Sequence, residues 1–162
     1  PYELFLIDLP APNALALPGG GVGVTTGLLE RVNSETGLAM VLAHELGHHQ
    51  GRHSLKRIGR TLVWNTLLGV ALGSVDMSVL EMGIRLREAG YGRDQERDAD
   101  ELGMRMVHKV YGHTRGALEF FERVQSESGQ DEAQWTEFMS THPLTAERIS
   151  DLKELQQELD SP

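Results

Sequence analysis

The five residues His44-Glu45-Leu46-Gly47-His48 constrain this chain more than any other feature. Histidines four apart lie just over one helical turn from each other, so both imidazoles leave the same face. Such a pair can hold one Zn²⁺ at about 2.0–2.1 Å per nitrogen. Glu45 leaves the same turn beside them, placed to take a proton from an attacking water rather than to bind the metal. Met40, Val41, Leu42 and Leu46 surround the motif with apolar positions, which puts it partly inside. Two imidazoles and a carboxylate buried without a partner would be costly. A metal site therefore outweighs a chance match on a surface helix.

A catalytic zinc takes three protein ligands and keeps a further position open. The chain has no cysteine, so the third ligand must be His, Asp or Glu. Glu96 opens the run Glu96-Arg97-Asp98-Ala99-Asp100, and Glu96 and Asp100 share one helical face. Glu96 can complete the site while Asp100 accepts a hydrogen bond from a ligand imidazole and fixes its tautomer. The bland reading of this run is a solvated helix start, where acids are favoured by the macrodipole; Asp98 reads that way. His53 is a rival third ligand. The spacing from His44 through His48 to Gly51 resembles the opening of the metzincin motif, but the position that motif gives to histidine is Ser54 here. A slip of one residue turns a helical side chain by about 100°. His49, His108 and His113 read as surface histidines.

At 162 residues the chain is long enough for a real hydrophobic core, and its 40% apolar and 24% charged residues are an ordinary globular balance. The net charge of −9 argues against a nucleic-acid binder, which relies on clustered Lys and Arg. The longest apolar run, Leu62 to Val75, falls short of the roughly 18–20 residues a bilayer span requires and reads as a buried helix.

Leu4 to Leu9 is β-capable. Ala14–Leu17 and Val22–Thr25 predict a hairpin around Pro18-Gly19-Gly20-Gly21. From Thr26 the chain reads helical, with helices over Gly37–Gln50, Leu55–Leu72, Val79–Glu88, Asp94–Val110 and Thr114–Ser126. A polar loop is expected over Ser126–Gln134, and a last helix is expected from a Thr145 cap. The expected class is α+β: a mainly helical, zincin-like domain with a small N-terminal sheet.

Several segments together resemble the gluzincin family that contains the heat-shock protease HtpX, the CAAX prenyl protease and the mitochondrial Oma-type proteases. They are His44–His48, Asn13-Ala14-Leu15-Ala16-Leu17-Pro18-Gly19-Gly20, Val24–Leu29, Tyr91–Asp100, and Ser140-Thr141-His142-Pro143 with Arg148-Ile149. The resemblance covers nearly the whole of 1–162, which reads as one domain without the helical piece that the family carries before its first strand. It implies a zinc endopeptidase acting on proteins, often in quality control of envelope proteins. It also implies a soluble branch, in a bacterial periplasm or cell envelope, with envelope proteins as partners. The family motif places His142 and Arg148 near the site, as candidate donors to the tetrahedral intermediate. His142 has a second candidate role, as a fourth zinc ligand that holds the enzyme latent. Asn13, Ala14, Leu15 and Ala16 are expected on an exposed sheet edge over the zinc, where a peptide could add as a strand. The competing function is a non-catalytic, chaperone-like module that keeps its zinc but has no need of Glu45.

Overall fold

A computed structural model describes residues 2–17, 19–56, 59, 90–129 and 132–161. Its three strands are β1 (Glu3–Ile7), β2 (Ala14–Leu17) and β3 (Gly21–Thr25). They form one sheet in the order β1-β3-β2, with β1 parallel to β3 and β2 antiparallel to it. The β2–β3 pairing is the predicted hairpin, turning through Gly19 and Gly20, both at positive φ. β3 is buried along its whole length, whereas Leu4, Phe5 and Leu6 of β1 are exposed.

The helices are α1 (Thr26–Leu29), α2 (Glu35–Gln50), α3 (Arg93–Tyr111), α4 (Glu119–Glu127), α5 (Glu132–Thr141) and α6 (Ala146–Asp160). Local chemistry sets their ends. Ser34 caps α2 by accepting from Gly37 N–H, and Thr145 caps α6 by accepting from Arg148 N–H. Gly112 closes α3 in the left-handed region. Two expectations shift. The helix expected from Thr114 starts only at Glu119, because the chain turns through Gly116 at φ 81°. The expected polar loop over Ser126–Gln134 is helical at both ends, since α4 runs through Glu127 and α5 begins at Glu132. Of the two helices expected between Leu55 and Glu88, and of the apolar stretch Leu62–Leu86, only Leu55, Lys56 and Gly59 are described; all three are helical.

The core joins Ala14, Val22 and Val24 of the sheet to Met40 and Val41 of α2, Met104 and Val107 of α3, and Ile149 and Leu152 of α6. Phe120 meets Phe121, Trp135 and Phe138 edge-on, and Phe121 meets His44 of α2 in the same way. No helix among the described residues is long and apolar enough to cross a membrane.

Candidate metal centre

The motif helix α2 and the acidic helix α3 approach more closely than ordinary side chains allow. A Cβ on Gly47 would lie 2.8 Å from Ala99 Cα, and a Cβ on Gly103 would lie 3.0 Å from the His44 nitrogen. Each helix thus sets a glycine against the backbone of the other. That closeness brings Glu96 and Asp100, one turn apart on α3, against His44 and His48, one turn apart on α2. The Thr141 to Thr145 connection between α5 and α6 adds His142. All of these residues are buried.

Four side chains from this set converge. His44 Nε2 lies 3.1 Å from His48 Nε2, 3.3 Å from His142 Nδ1 and 3.5 Å from Glu96 Oε2. Glu96 Oε1 lies 3.3 Å from His48 Nε2 and 3.4 Å from His142 Nδ1. Ligands bound tetrahedrally at about 2.0–2.1 Å stand about 3.3–3.4 Å apart. The five separations, 3.1–3.5 Å, lie around that value, with one Glu96 oxygen facing His44 and the other facing His48 and His142. Charge gives the same answer. Glu45, Glu96 and Asp100 are buried beside one buried guanidinium, Arg148, so neutral imidazoles leave two negative charges for a divalent cation to offset. The donor set therefore fits a divalent metal.

Protons alone serve this cluster badly. Burial would lower His44, but Asp100 and Glu96 outweigh it and push the ring up to about 10. One turn away, burial drives His48 down to about 2. Burial raises Glu45 above the usual carboxylate range. Burial also works to raise Glu96, but the surrounding imidazoles outweigh it and hold the carboxyl below its ordinary value.

Around the converging donor atoms stands an orienting layer. His44 Nδ1 lies 2.9 Å from Asp100 Oδ1. Arg148 donates from Nε and Nη2 to the two Asp100 oxygens, at 2.7 and 2.8 Å, and from Nη1 to the Pro143 carbonyl at 2.9 Å. The same Nη1 lies 2.6 Å from Glu96 Oε2. His142 Nε2 lies 3.2 Å from Glu45 Oε1, so one imidazole meets the cluster with one nitrogen and the candidate base with the other.

The profile described as Peptidase family M48 matches residues 1–156. The chain belongs to this family. Among similar proteins, the mitochondrial metalloendopeptidase OMA1 of Schizosaccharomyces pombe is 35% identical over 159 residues, which is 94% of this chain and 46% of the relative. The putative beta-barrel assembly-enhancing protease of Vibrio cholerae is 29% identical, over 95% of this chain and 34% of the relative. The Escherichia coli beta-barrel assembly-enhancing protease is 26% identical, over 94% and 34%. The chain spans less than half the length of these relatives.

Three details of this M48 chain depart from the sequence reading. Arg148, offered there as a donor to a reaction intermediate, is committed to Asp100, Glu96 and Pro143, because a buried guanidinium takes whatever carboxylates surround it. The expected exposed edge at Asn13–Ala16 is an outer strand, but Asn13, Ala14 and Ala16 are buried. Ala14 joins the core, and the outward carbonyl of Ala16 accepts from Ser54 Oγ at 3.3 Å. The third detail concerns Tyr91, which the spacing did not reveal, and His53, weighed there only as a rival ligand. Tyr91 stacks on His48 at 3.7 Å and 17°, with its hydroxyl 2.9 Å from Ser54 Oγ. His53 Nδ1 lies 2.9 Å from His48 Nδ1. The sequence signal was Gly90 and Gly92 flanking Tyr91, and Gly51 two residues before His53.

Proposed function

We propose that this chain is the catalytic domain of a zinc-dependent endopeptidase, with His44, His48 and Glu96 as ligands and Glu45 as general base. The observation that carries the reading is the convergence of buried donor atoms from His44, His48, Glu96 and His142 beside the buried Glu45 carboxylate. Bound zinc would polarise a scissile carbonyl and lower the pKa of the attacking water. Glu45, raised by burial, takes the proton from water and delivers it to the leaving amine. Asp100 fixes the His44 tautomer, and Arg148 anchors Asp100 and Glu96 together. His142 is the remaining candidate to donate to the developing oxyanion. A peptide aligns along β2, displacing Ser54 from the outward carbonyl of Ala16 and Asn13 Oδ1 from the Ala14 N–H, and meets the centre beside Asn13 and Leu15. Extended segments of misfolded proteins suit such backbone recognition. Envelope proteins are the substrate class favoured by the names of the bacterial relatives, with a periplasmic or envelope location to match.

His142 also supports a latent form of this enzyme. With its Nδ1 among the converging donor atoms and its Nε2 on Glu45, it occupies both the fourth ligand position and the base. Hydrolysis then requires the Thr141–Thr145 connection to move.

Elemental analysis of the purified chain is expected to give about one zinc per molecule. Glu45→Gln keeps that zinc and loses hydrolysis of an unfolded protein substrate by roughly 100-fold or more. A Glu45→Gln variant as active as the wild type would sink the proteolytic reading in favour of the zinc-holding binding module. His142→Ala is expected to raise hydrolysis if latency governs, and to lower it if His142 serves the oxyanion.

A further inference from the structure

We infer that His53 is a positioning residue for His48: it accepts the Nδ1 proton of that ring and so presents Nε2 to the metal. This inference rests on the zinc reading above and adds to it the group that orients the second motif histidine.

Two imidazole nitrogens 2.9 Å apart, both on buried rings, must share one proton between them. The Nε2 of His48 already belongs to the convergent set, so its proton belongs on Nδ1. His53 Nδ1 is then the acceptor, and the His53 proton sits on Nε2, where the Asp98 carboxylate lies 3.8 Å away. An acceptor on the far nitrogen of a ligand histidine fixes its tautomer and ring angle. Asp100 does this for His44, and among the described residues no carboxylate is recorded against His48 Nδ1.

The backbone is shaped to deliver this contact. α2 ends at Gly51, and Arg52 follows at φ 53°, the one non-glycine positive φ among the described residues. A left-handed residue without glycine's freedom is maintained only where its surroundings enforce it. That reversal takes His53 off the path of α2, where it would point away from the motif, and folds it back along the His48 ring. The ring then lies directly on Gly51, where an added Cβ would stand 2.2 Å from His53 Nε2. The reversal, the glycine beneath the ring and the ring's contact with His48 together form one arrangement.

The test measures zinc affinity by competition with a chromogenic chelator, on the full chain, for wild type, His53→Leu, His53→Asn and Gly51→Ala. Unfolding of each zinc-free protein is followed alongside. The amide oxygen introduced by His53→Asn can stand where Nδ1 stood and accept the same proton, whereas leucine cannot. His53→Leu is expected to lose roughly 10- to 100-fold in affinity, and His53→Asn to recover most of it. Gly51→Ala is compatible with the φ of −70° at that position. By pushing the ring aside it should reproduce the leucine defect while the zinc-free fold survives, which covers the case of a poorly folding leucine variant. The Co²⁺-substituted leucine and alanine variants are expected to share an altered visible absorption spectrum. Wild-type affinity and spectrum in both would overturn the inference and leave the zinc reading standing. So would equal losses in His53→Leu and His53→Asn that track zinc-free stability. A wild-type chain that takes up no zinc would overturn the zinc reading, and this inference with it.

Discussion

His44 and His48 leave one face of α2 a turn apart, yet their far nitrogens enter unlike surroundings. On the His44 side stand Asp100 and Arg148, a buried pair joined by two hydrogen bonds and extended to Glu96. These groups come from the regular helices α3 and α6. On the His48 side stand Tyr91 and His53, aromatic and uncharged in the arrangement inferred here, supplied by the glycine-marked breaks that precede α3 and follow α2. Removing one partner of a buried ion pair strands the other charge and costs several kcal/mol. An aromatic contact contributes about 0.5–1.5 kcal/mol beyond its buried area. The His44 half is therefore where the fold itself depends on the site. The His48 half can change with the fold intact, and there the effect falls on how the ligand is presented.

The largest expected effect breaks the charged half. Asp100→Ala removes two charged hydrogen bonds from the buried Arg148, which keeps only Glu96 and Pro143, and removes the His44 partner, destabilising the zinc-free chain by about 3–5 kcal/mol in denaturant unfolding. A loss below about 1 kcal/mol would mean that the two halves do not differ in the way argued. Gly47→Ala comes next, since Gly47 sits between the two histidines and faces Ala99. Its new Cβ would lie 2.8 Å from backbone, not from a side chain that could yield, so α2 and α3 must separate. Overpacking of this kind costs about 1–3 kcal/mol. It should weaken zinc uptake as well, because Glu96 moves away from both rings at once.

The contrast also explains what the sequence made legible. Helical spacing alone brought out His44, His48, Glu96 and Asp100, because a 3.6-residue period maps sequence distance onto direction. The β2–β3 hairpin and the Thr145 cap were legible because turn and cap chemistry is local. His53 was weighed as though α2 continued through it; the chain reverses at Arg52, so the angular argument had no helix to act on. Tyr91 lay between two glycines that read only as a break. The contacts of Arg148 were not legible for another reason. Its partners, Asp100 and Glu96, lie on a different helix far back in the sequence, and no local pattern announces which carboxylate a buried guanidinium will meet. The helix α5 has neither a strong apolar period nor a cap among the described residues, and packing of Trp135 and Phe138 against Phe120 of α4 accounts for it better than propensity does.

Smaller effects sharpen the aromatic half. Tyr91→Leu removes the stack on His48 and is expected to cost about 0.5–1.5 kcal/mol beyond lost burial, with a drop in zinc affinity. Tyr91→Phe keeps the ring that stacks on His48 and removes the hydroxyl that meets Ser54, so zinc affinity should stay near that of the wild type. If the two variants bind zinc equally weakly, the hydroxyl rather than the stack orients His48.

Ser54→Ala has the smallest expected cost in stability, about 0.5–1.5 kcal/mol for hydrogen bonds to Ala16 and Tyr91 that are partly regained from water. Its expected effect on function runs the other way. The Ser54 hydroxyl occupies the outward carbonyl of Ala16, which an added peptide strand would use. Releasing that carbonyl should lower KM for an unfolded substrate severalfold while kcat stays nearly unchanged, because Glu45 and the ligand set are untouched. An unchanged KM would move peptide binding away from β2. A kcat that falls with KM unchanged would mean that Ser54 acts through Tyr91 on His48, and the two halves would then be coupled through the substrate edge rather than through the metal alone.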